Sequence, residues 1–186
     1  MARMEDHPEI SMIMGQKSKN KGKSWERDVA NFLSELYGES FIRVPHSGAY
    51  IGGKNSDRKV HLHEGQIRAL KGDIIPPQEW TGFNCEAKNY ADFPFHQLFT
   101  GTVRQLETWL EQLLDVADPG DLNILIIKIT RKGKYIAVES RHDWNTQIPH
   151  LNYNSEAYGA WTLFDFDLFW SVNQEQVRDV STHSIQ

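Results

Sequence analysis

The sequence predicts an α/β fold in which a mixed central β-sheet is flanked by α-helices. Apolar residues recur at helical spacing over residues 24–37 and again over residues 96–117, which indicates two amphipathic helices. Residues 122–130 form a continuous apolar run, which is typical of a strand buried on both faces of a sheet. Helices that alternate with such strands are typical of a layered α/β domain.

Length and composition point to one folded domain. A chain of 186 residues can bury a substantial core. Its single cysteine, Cys85, cannot form an internal disulfide, so we expect a reducing, cytoplasmic setting. There is no apolar run long enough to span a membrane and no signal-peptide pattern, so we expect no membrane partner.

The domain boundaries follow from changes in pattern along the chain. Residues 1–20 lack clear periodicity and are predicted to form a flexible N-terminal arm, whereas residues 21–186 are predicted to form a single domain. The net charge of −5 is uneven, because basic residues predominate between Gln16 and Lys71 and acidic residues from Ile136 onward. This asymmetry indicates either a basic DNA-facing side or a solvated surface that is simply uneven.

The most informative stretch is residues 72–88, which we interpret as two strands joined by a turn. Asp73 opens the first strand, and Pro76 and Pro77 end it because neither offers a backbone donor. Residues 83–88 form the second strand. Side chains two apart on a strand share a face, so Glu86 and Lys88 should point one way while Cys85 and Ala87 enter the core.

This arrangement suits a divalent metal. Asp73 and Glu86 would supply the hard oxygen ligands that Mg²⁺ prefers, and Lys88 would contact the attacking water or the scissile phosphate. An alternative is a solvated surface pair of little energetic value. The spacing alone leaves both interpretations open.

A helix upstream brings a further carboxylate. Ser24 is a plausible N-cap, and the buried stripe that follows predicts a helix to about Tyr37. Glu26 lies at the edge of that stripe, from which it can reach the end of the sheet. A first-turn glutamate favoured by the helix dipole is the alternative explanation.

The order of these motifs resembles that of the archaeal-type Holliday junction resolvases, within the PD-(D/E)xK nuclease superfamily. The resemblance covers about residues 21–138. The chain departs from the family in having Gly72 where proline is usual before the aspartate, in an insertion at about residues 49–71, and in its acidic overall charge. The matching motifs are Lys21-Gly22, Glu26-Arg27, Arg43, Ser47-Gly48, Gly72-Asp73 and Glu86-Ala87-Lys88.

The resemblance implies a restriction-endonuclease-like core and a Mg²⁺-dependent endodeoxyribonuclease, with Mn²⁺ as a substitute. It implies that residues 21–186 are one nuclease domain with a C-terminal extension at about residues 141–186. It also implies a homodimer that acts on branched DNA, in the host cytoplasm if the gene is phage-encoded. The implied catalytic residues are Glu26, Asp73, Glu86 and Lys88, and of these Asp73, Glu86 and Glu26 are the implied metal ligands. The implied DNA-binding residues are Lys21, Lys23, Arg27, Arg43 and Ser47. Gln105 is an additional candidate for the site.

Three other interpretations stay open. The first is a nuclease of the same chemistry that acts on duplex, flap or single-stranded DNA, which the insertion and the acidic C-terminal part favour. The second is a non-catalytic DNA-binding protein, against which the intact Asp73, Glu86 and Lys88 weigh. The third is an acidic globular domain in which the motifs occur by chance.

Overall fold

The structure, a computed structural model, describes the backbone of residues 8–45 and 71–182, with side chains from residue 20 onward. At its centre is a five-stranded sheet in the order β3-β4-β5-β7-β6, in which β3 and β4 are parallel and the other pairs antiparallel. The elements are α1 (Pro8–Tyr37), β1 (Ile42–Arg43), β2 (Ile74–Ile75), β3 (Phe83–Tyr90), α2 (Arg104–Asp115), β4 (Leu122–Ile129), β5 (Gly133–Glu139), β6 (His150–Ser155), β7 (Gly159–Asp165) and α3 (Phe166–Thr182).

Strand β4 separates two apolar layers and confirms the prediction of a central, doubly buried strand. Leu122, Ile124 and Ile126 belong to the cluster that also contains buried residues of α1 and α3. Leu125, Ile127 and Ile129 belong to the cluster formed with α2. The sheet is therefore covered by α1 and α3 on one face and by α2 on the other, which confirms the α/β class with a mixed sheet flanked by helices.

Helix α1 is longer than the sequence indicated. It begins at Pro8, not near Ser24, so residues 8–20 belong to a helix where a flexible arm was predicted. Proline is tolerated in a first helical turn because its missing N–H has no partner there, and isolated glycines weaken a helix without ending it. Trp25, Val29 and Leu33 are among the residues through which α1 packs on the sheet.

The helix predicted over residues 96–117 is divided in two. A short 3₁₀ turn covers Phe95–Phe99, and α2 begins only at Arg104 after the extended residue Val103. The intervening Thr100-Gly101-Thr102 consists of weak helix formers, which explains the interruption. Phe99, one of the apolar residues within the helix predicted over residues 96–117, is 72% exposed.

The segment predicted as a C-terminal extension supplies two strands and a helix of the same fold. Strand β7 pairs with β5 and β6 pairs with β7. Phe164, Phe169 and Trp170 join the cluster beneath α1. Within residues 8–45 and 71–182, no helix is long and apolar enough to cross a lipid bilayer.

The two strands predicted within residues 72–88 do not pair as a hairpin, which corrects the sequence interpretation. Strand β2 pairs antiparallel with β1, through Ile42 opposite Ile75 and Arg43 opposite Ile74, in a separate two-stranded ribbon. The prolines after Ile75 end β2 after two residues. The ribbon nevertheless lies beside β3, because the Asp73 N–H donates to the carbonyl of Cys85 at 2.8 Å.

Candidate active site

Strand β3 positions two of the predicted site residues on one face. Cys85 and Ala87 enter the core cluster under α1, as the two-residue period requires. Glu86 and Lys88 face the other way and meet each other, since the Lys88 Nζ donates to Glu86 Oε1 at 2.5 Å. The same ammonium donates to Gln112 Oε1 of α2 at 2.6 Å. Lys88 is thereby held between a strand residue and a helix residue.

Asp73 approaches this pair along the outer edge of β3. Its Oδ2 accepts a hydrogen bond from the Ala87 N–H at 2.9 Å, and its own N–H is bonded to the Cys85 carbonyl. A backbone and a side-chain hydrogen bond thus fix one carboxylate beside the strand that carries the other. Asp73 and Glu86 are both largely buried, with 4% and 8% of their surface exposed.

Gly72 makes this close approach feasible. Its φ of +64° lies in the left-handed region, and a Cβ built on it would stand 2.4 Å from the carbonyl oxygen of Cys85. Glycine is the residue that tolerates both conditions. The departure from the resolvase pattern, in which proline precedes the aspartate, therefore has a structural reason, because proline cannot adopt a positive φ.

The surroundings of Glu86 raise the pKa of its carboxyl group. Burial, and secondarily the neighbouring carboxylate of Asp73, raise the pKa of Glu86 from 4.5 to about 7, against the opposing effect of Lys88. Burial also raises the pKa of the Cys85 thiol well above its ordinary value. Cys85 is therefore an inert core residue and not a nucleophile.

Glu26 reaches the same region from α1 but has another partner. Its Oε2 accepts a hydrogen bond from Arg43 Nε at 2.6 Å. Burial first, and the charge of Asp73 second, raise the pKa of Glu26. Within residues 20–45 and 71–182, no three His, Cys, Asp or Glu side chains are gathered closely enough to hold a metal ion.

Three of the predicted DNA-binding residues lie in the middle of α1, and a fourth lies on β1. Lys21, Lys23 and Arg27 are exposed, whereas Arg43 is half-buried against Glu26. The Lys21 carbonyl accepts a hydrogen bond from Asn89 Nδ2 at 3.2 Å, so this part of α1 lies beside the end of β3. Ser47 and residues 49–70 of the predicted insertion lie outside the described residues.

Lys71, the last residue of that insertion, ends the stretch in which basic residues predominate and for which a DNA-facing side was one expectation. It is instead buried, with 5% of its surface exposed, and it pairs with Asp118 and Asp121 in the turn before β4. The ammonium is therefore used within the protein and does not present charge to solvent.

The glutamine that contacts the site is a different one from the candidate singled out in the sequence. Gln105 Nε2 donates to the carbonyl of Asp92 at 3.4 Å, and Gln112 provides the contact to Lys88. These glutamines are seven residues apart and share a helix face. The helical period therefore places Gln112 on the same face as Gln105. Which of the two glutamines contacts Lys88 depends on how α2 is placed along β3, and the sequence does not give this.

The raised pKa of Glu86 has a measurable consequence for stability. Between pH 4.5 and about 7 the folded state binds a proton at Glu86 that the unfolded state has released. In EDTA, the free energy of unfolding should therefore contain a contribution that falls as pH rises through this window, on the order of 3 kcal/mol in total. Denaturant unfolding at several pH values measures it.

Glu86→Gln is the matched control for this pH dependence, because it keeps the shape of the side chain and removes the titration. The difference in unfolding free energy between the wild-type protein and this variant should change steeply across the window. Parallel pH profiles for the two proteins would show that Glu86 keeps an ordinary pKa.

Comparison with known proteins supports a nuclease assignment. A family model described as phage putative PDDEXK endonuclease matches residues 17–179, a span that includes Glu26, Asp73, Glu86 and Lys88. No curated protein and no solved structure gave a match. The matched span covers most of the chain, and the mixed sheet flanked by helices agrees with a restriction-endonuclease-like core. The chain therefore belongs to the phage putative PDDEXK endonuclease family, within the PD-(D/E)xK nuclease superfamily.

Proposed function

We propose that this nuclease is a Mg²⁺-dependent DNA endonuclease in which Asp73 and Glu86 hold the metal. The observation that supports this most strongly is the docking of Asp73 on β3 through Ala87, which sets two buried carboxylates side by side next to Lys88. Asp73 disfavours ionisation of Glu86, and a bound divalent cation would offset that effect.

The donor set fits a hard divalent cation. Asp73 and Glu86 offer oxygen ligands, and one or two carboxylates with substrate phosphate are what Mg²⁺ commonly takes from a protein. Mn²⁺ has the same preference for oxygen and should substitute. When bound, the cation would lower the pKa of a water molecule and offset negative charge on the phosphate.

The remaining residues have roles that follow from their contacts. Lys88, oriented by Glu86 and Gln112, would donate a hydrogen bond to the attacking water or to a phosphate oxygen. Glu26 would assist as a further ligand or as a proton acceptor, because burial and Asp73 raise its pKa. Engagement of Arg43 by a phosphate would release Glu26 for that role.

The proposed substrate is a four-way DNA junction. This rests on the ordered similarity to the resolvases, from Lys21-Gly22 to Glu86-Ala87-Lys88. A resolvase cuts two strands symmetrically, so we also propose a homodimer, with Lys21, Lys23, Arg27, Arg43 and Ser47 on the DNA side. A member of a phage endonuclease family would meet this substrate in the host cytoplasm.

A cleavage assay tests the metal and the substrate together. A four-way junction, a linear duplex, a flap and single-stranded DNA are offered in Mg²⁺, Mn²⁺ and EDTA, with Glu86→Ala as the control. Paired symmetric nicks in the junction would support the full proposal. Cleavage of the other substrates would keep the chemistry and reject the junction. Binding without cleavage in either metal would favour a non-catalytic DNA-binding protein.

Gln112 offers a test of how Lys88 is oriented. Gln112→Ala should lower kcat about tenfold with little change in KM, because Lys88 loses one of its two partners. Gln105→Ala, on the same face of α2 but bonded to Asp92, is the matched control and should leave kcat unchanged. Steady-state cleavage kinetics measure both, and equal effects of the two variants would reject the role of Gln112.

A further inference from the structure

The turn between β4 and β5 lies at the same end of the sheet as the strand that carries Lys88. Strands β3 and β4 run parallel, with Lys88 opposite Ile127 and Tyr90 opposite Ile129. The next residue, Thr130, donates its N–H to the Tyr90 carbonyl at 2.9 Å. The turn is thus fixed beside the end of β3, a few residues beyond the candidate active site.

Arg131 occupies this turn in a conformation that favours glycine. The turn is closed by the Lys132 N–H, which donates to the Ile129 carbonyl at 2.9 Å. Arg131 stands at its third position with a φ of +64°, the only positive φ of a non-glycine residue in the described part of the chain. A positive φ costs free energy in a residue other than glycine. Such residues are common at functional sites, where the side chain has a role that glycine could not fill.

Three basic side chains lie in or just after this turn, and they differ in whether an acidic side chain pairs with them. Lys132 pairs with Asp92 at 2.5 Å and Lys134 pairs with Asp167 at 2.7 Å. Arg131 is exposed, and within residues 20–45 and 71–182 it has no ion pair or hydrogen bond. Its guanidinium is therefore available to an external anion, and a planar fork of donors matches a phosphate well.

Helix α1 brings a second exposed cation to the same end. Asn89, the residue before Tyr90 on β3, donates a hydrogen bond to the Lys21 carbonyl. This bond places Lys21 beside the end of β3. Tyr90 is 45% exposed, and its ring packs on Trp109 of α2 at a centroid distance of 4.8 Å, on the face of β3 opposite α1. Exposed cations and an exposed aromatic ring at the end of the strand that carries Glu86 and Lys88 are suited to nucleic acid.

We propose that Arg131 binds a backbone phosphate of the DNA strand as it passes the end of β3, with Lys21 adding positive charge near the same end. This rests on the proposed function, since it extends the substrate surface of the same site. Arg131 would position the DNA and take no part in the bond breaking.

Binding measurements in EDTA test this independently of cleavage. The full chain is titrated into a fluorescein-labelled four-way junction, and into a linear duplex of equal length, at a series of KCl concentrations. Arg131→Gly removes the guanidinium and relieves the positive φ, so it should fold at least as well as the wild-type protein. Affinity should fall about five- to tenfold, and the slope of log K against log salt should decrease by about 1.

Lys134→Ala is the matched control, because Lys134 is already neutralised by Asp167. It should bind within about twofold of the wild-type protein. Unchanged affinity and slope in Arg131→Gly would overturn the proposal, and an equal loss in both variants would also do so, by showing a general charge effect. Cleavage by the wild-type protein in Mg²⁺ reports on the proposed function separately.

Discussion

Asp73→Asn is expected to reduce the Mg²⁺-dependent cleavage rate by at least about a thousandfold while leaving the fold intact. Asparagine keeps a carbonyl oxygen that can accept the hydrogen bond from the Ala87 N–H, so the contact that docks this residue on β3 survives. What is lost is the charge that would bind the cation. Single-turnover cleavage and thermal unfolding of the same preparation measure the two effects.

Glu79→Gln is the matched control for this prediction. Glu79 is an exposed carboxylate in the loop between β2 and β3, so its loss should change neither rate nor stability. Mg²⁺ should raise the Tm of the wild-type protein and of Glu79→Gln but not that of Asp73→Asn. If Asp73→Asn retained more than about one tenth of the wild-type rate, Asp73 would not be a ligand of an essential metal.

Gly72→Ala should be the most destabilising single methyl addition near the site. The positive φ alone costs an alanine about 1–2 kcal/mol, and the Cβ would stand 2.4 Å from the Cys85 carbonyl oxygen. Relief of that contact requires Asp73 to move away from β3. We expect a loss of about 2–4 kcal/mol in the free energy of unfolding, measured in urea, together with reduced cleavage.

Gly38→Ala separates the two parts of this effect. Gly38 has nearly the same φ, +66°, but a Cβ there would meet nothing within 4 Å. It should therefore carry the conformational cost without the steric one, and it should leave cleavage unaffected. Similar losses of stability and activity in the two variants would show that the approach of residue 72 to β3 is unimportant.

The parts of the fold that were predictable are those in which local pattern and tertiary environment agree. The continuous apolar run of β4 and the two-residue period around Cys85 and Ala87 both place side chains without knowledge of neighbours. Pairing was not predictable in the same way. Residues 74–75 are too short to specify a partner, so only the structure shows that β2 pairs with β1 and not with β3.

The candidate site shows the same division. The proximity of Asp73, Glu86 and Lys88 was predictable because each stands at a definite position of a strand or its start. The bond between Glu26 and Arg43 was not, because it joins residues 17 apart on different elements. The choice of Gln112 over Gln105 depended on how α2 lies across β3, which helical periodicity alone does not determine.

Of the two proposed metal ligands, Glu86 lies on the five-stranded sheet, whereas Asp73 directly precedes β2 of the two-stranded ribbon, and this affects how the protein would lose activity. Asp73 is carried by the short β1–β2 ribbon, which is joined to β3 near Asp73 by two hydrogen bonds. Glu86 lies on a strand paired along its full length with β4. A local opening of the ribbon would separate the carboxylates while the five-stranded sheet stays folded. Heat would therefore inactivate the enzyme, reversibly, below the temperature at which its core unfolds.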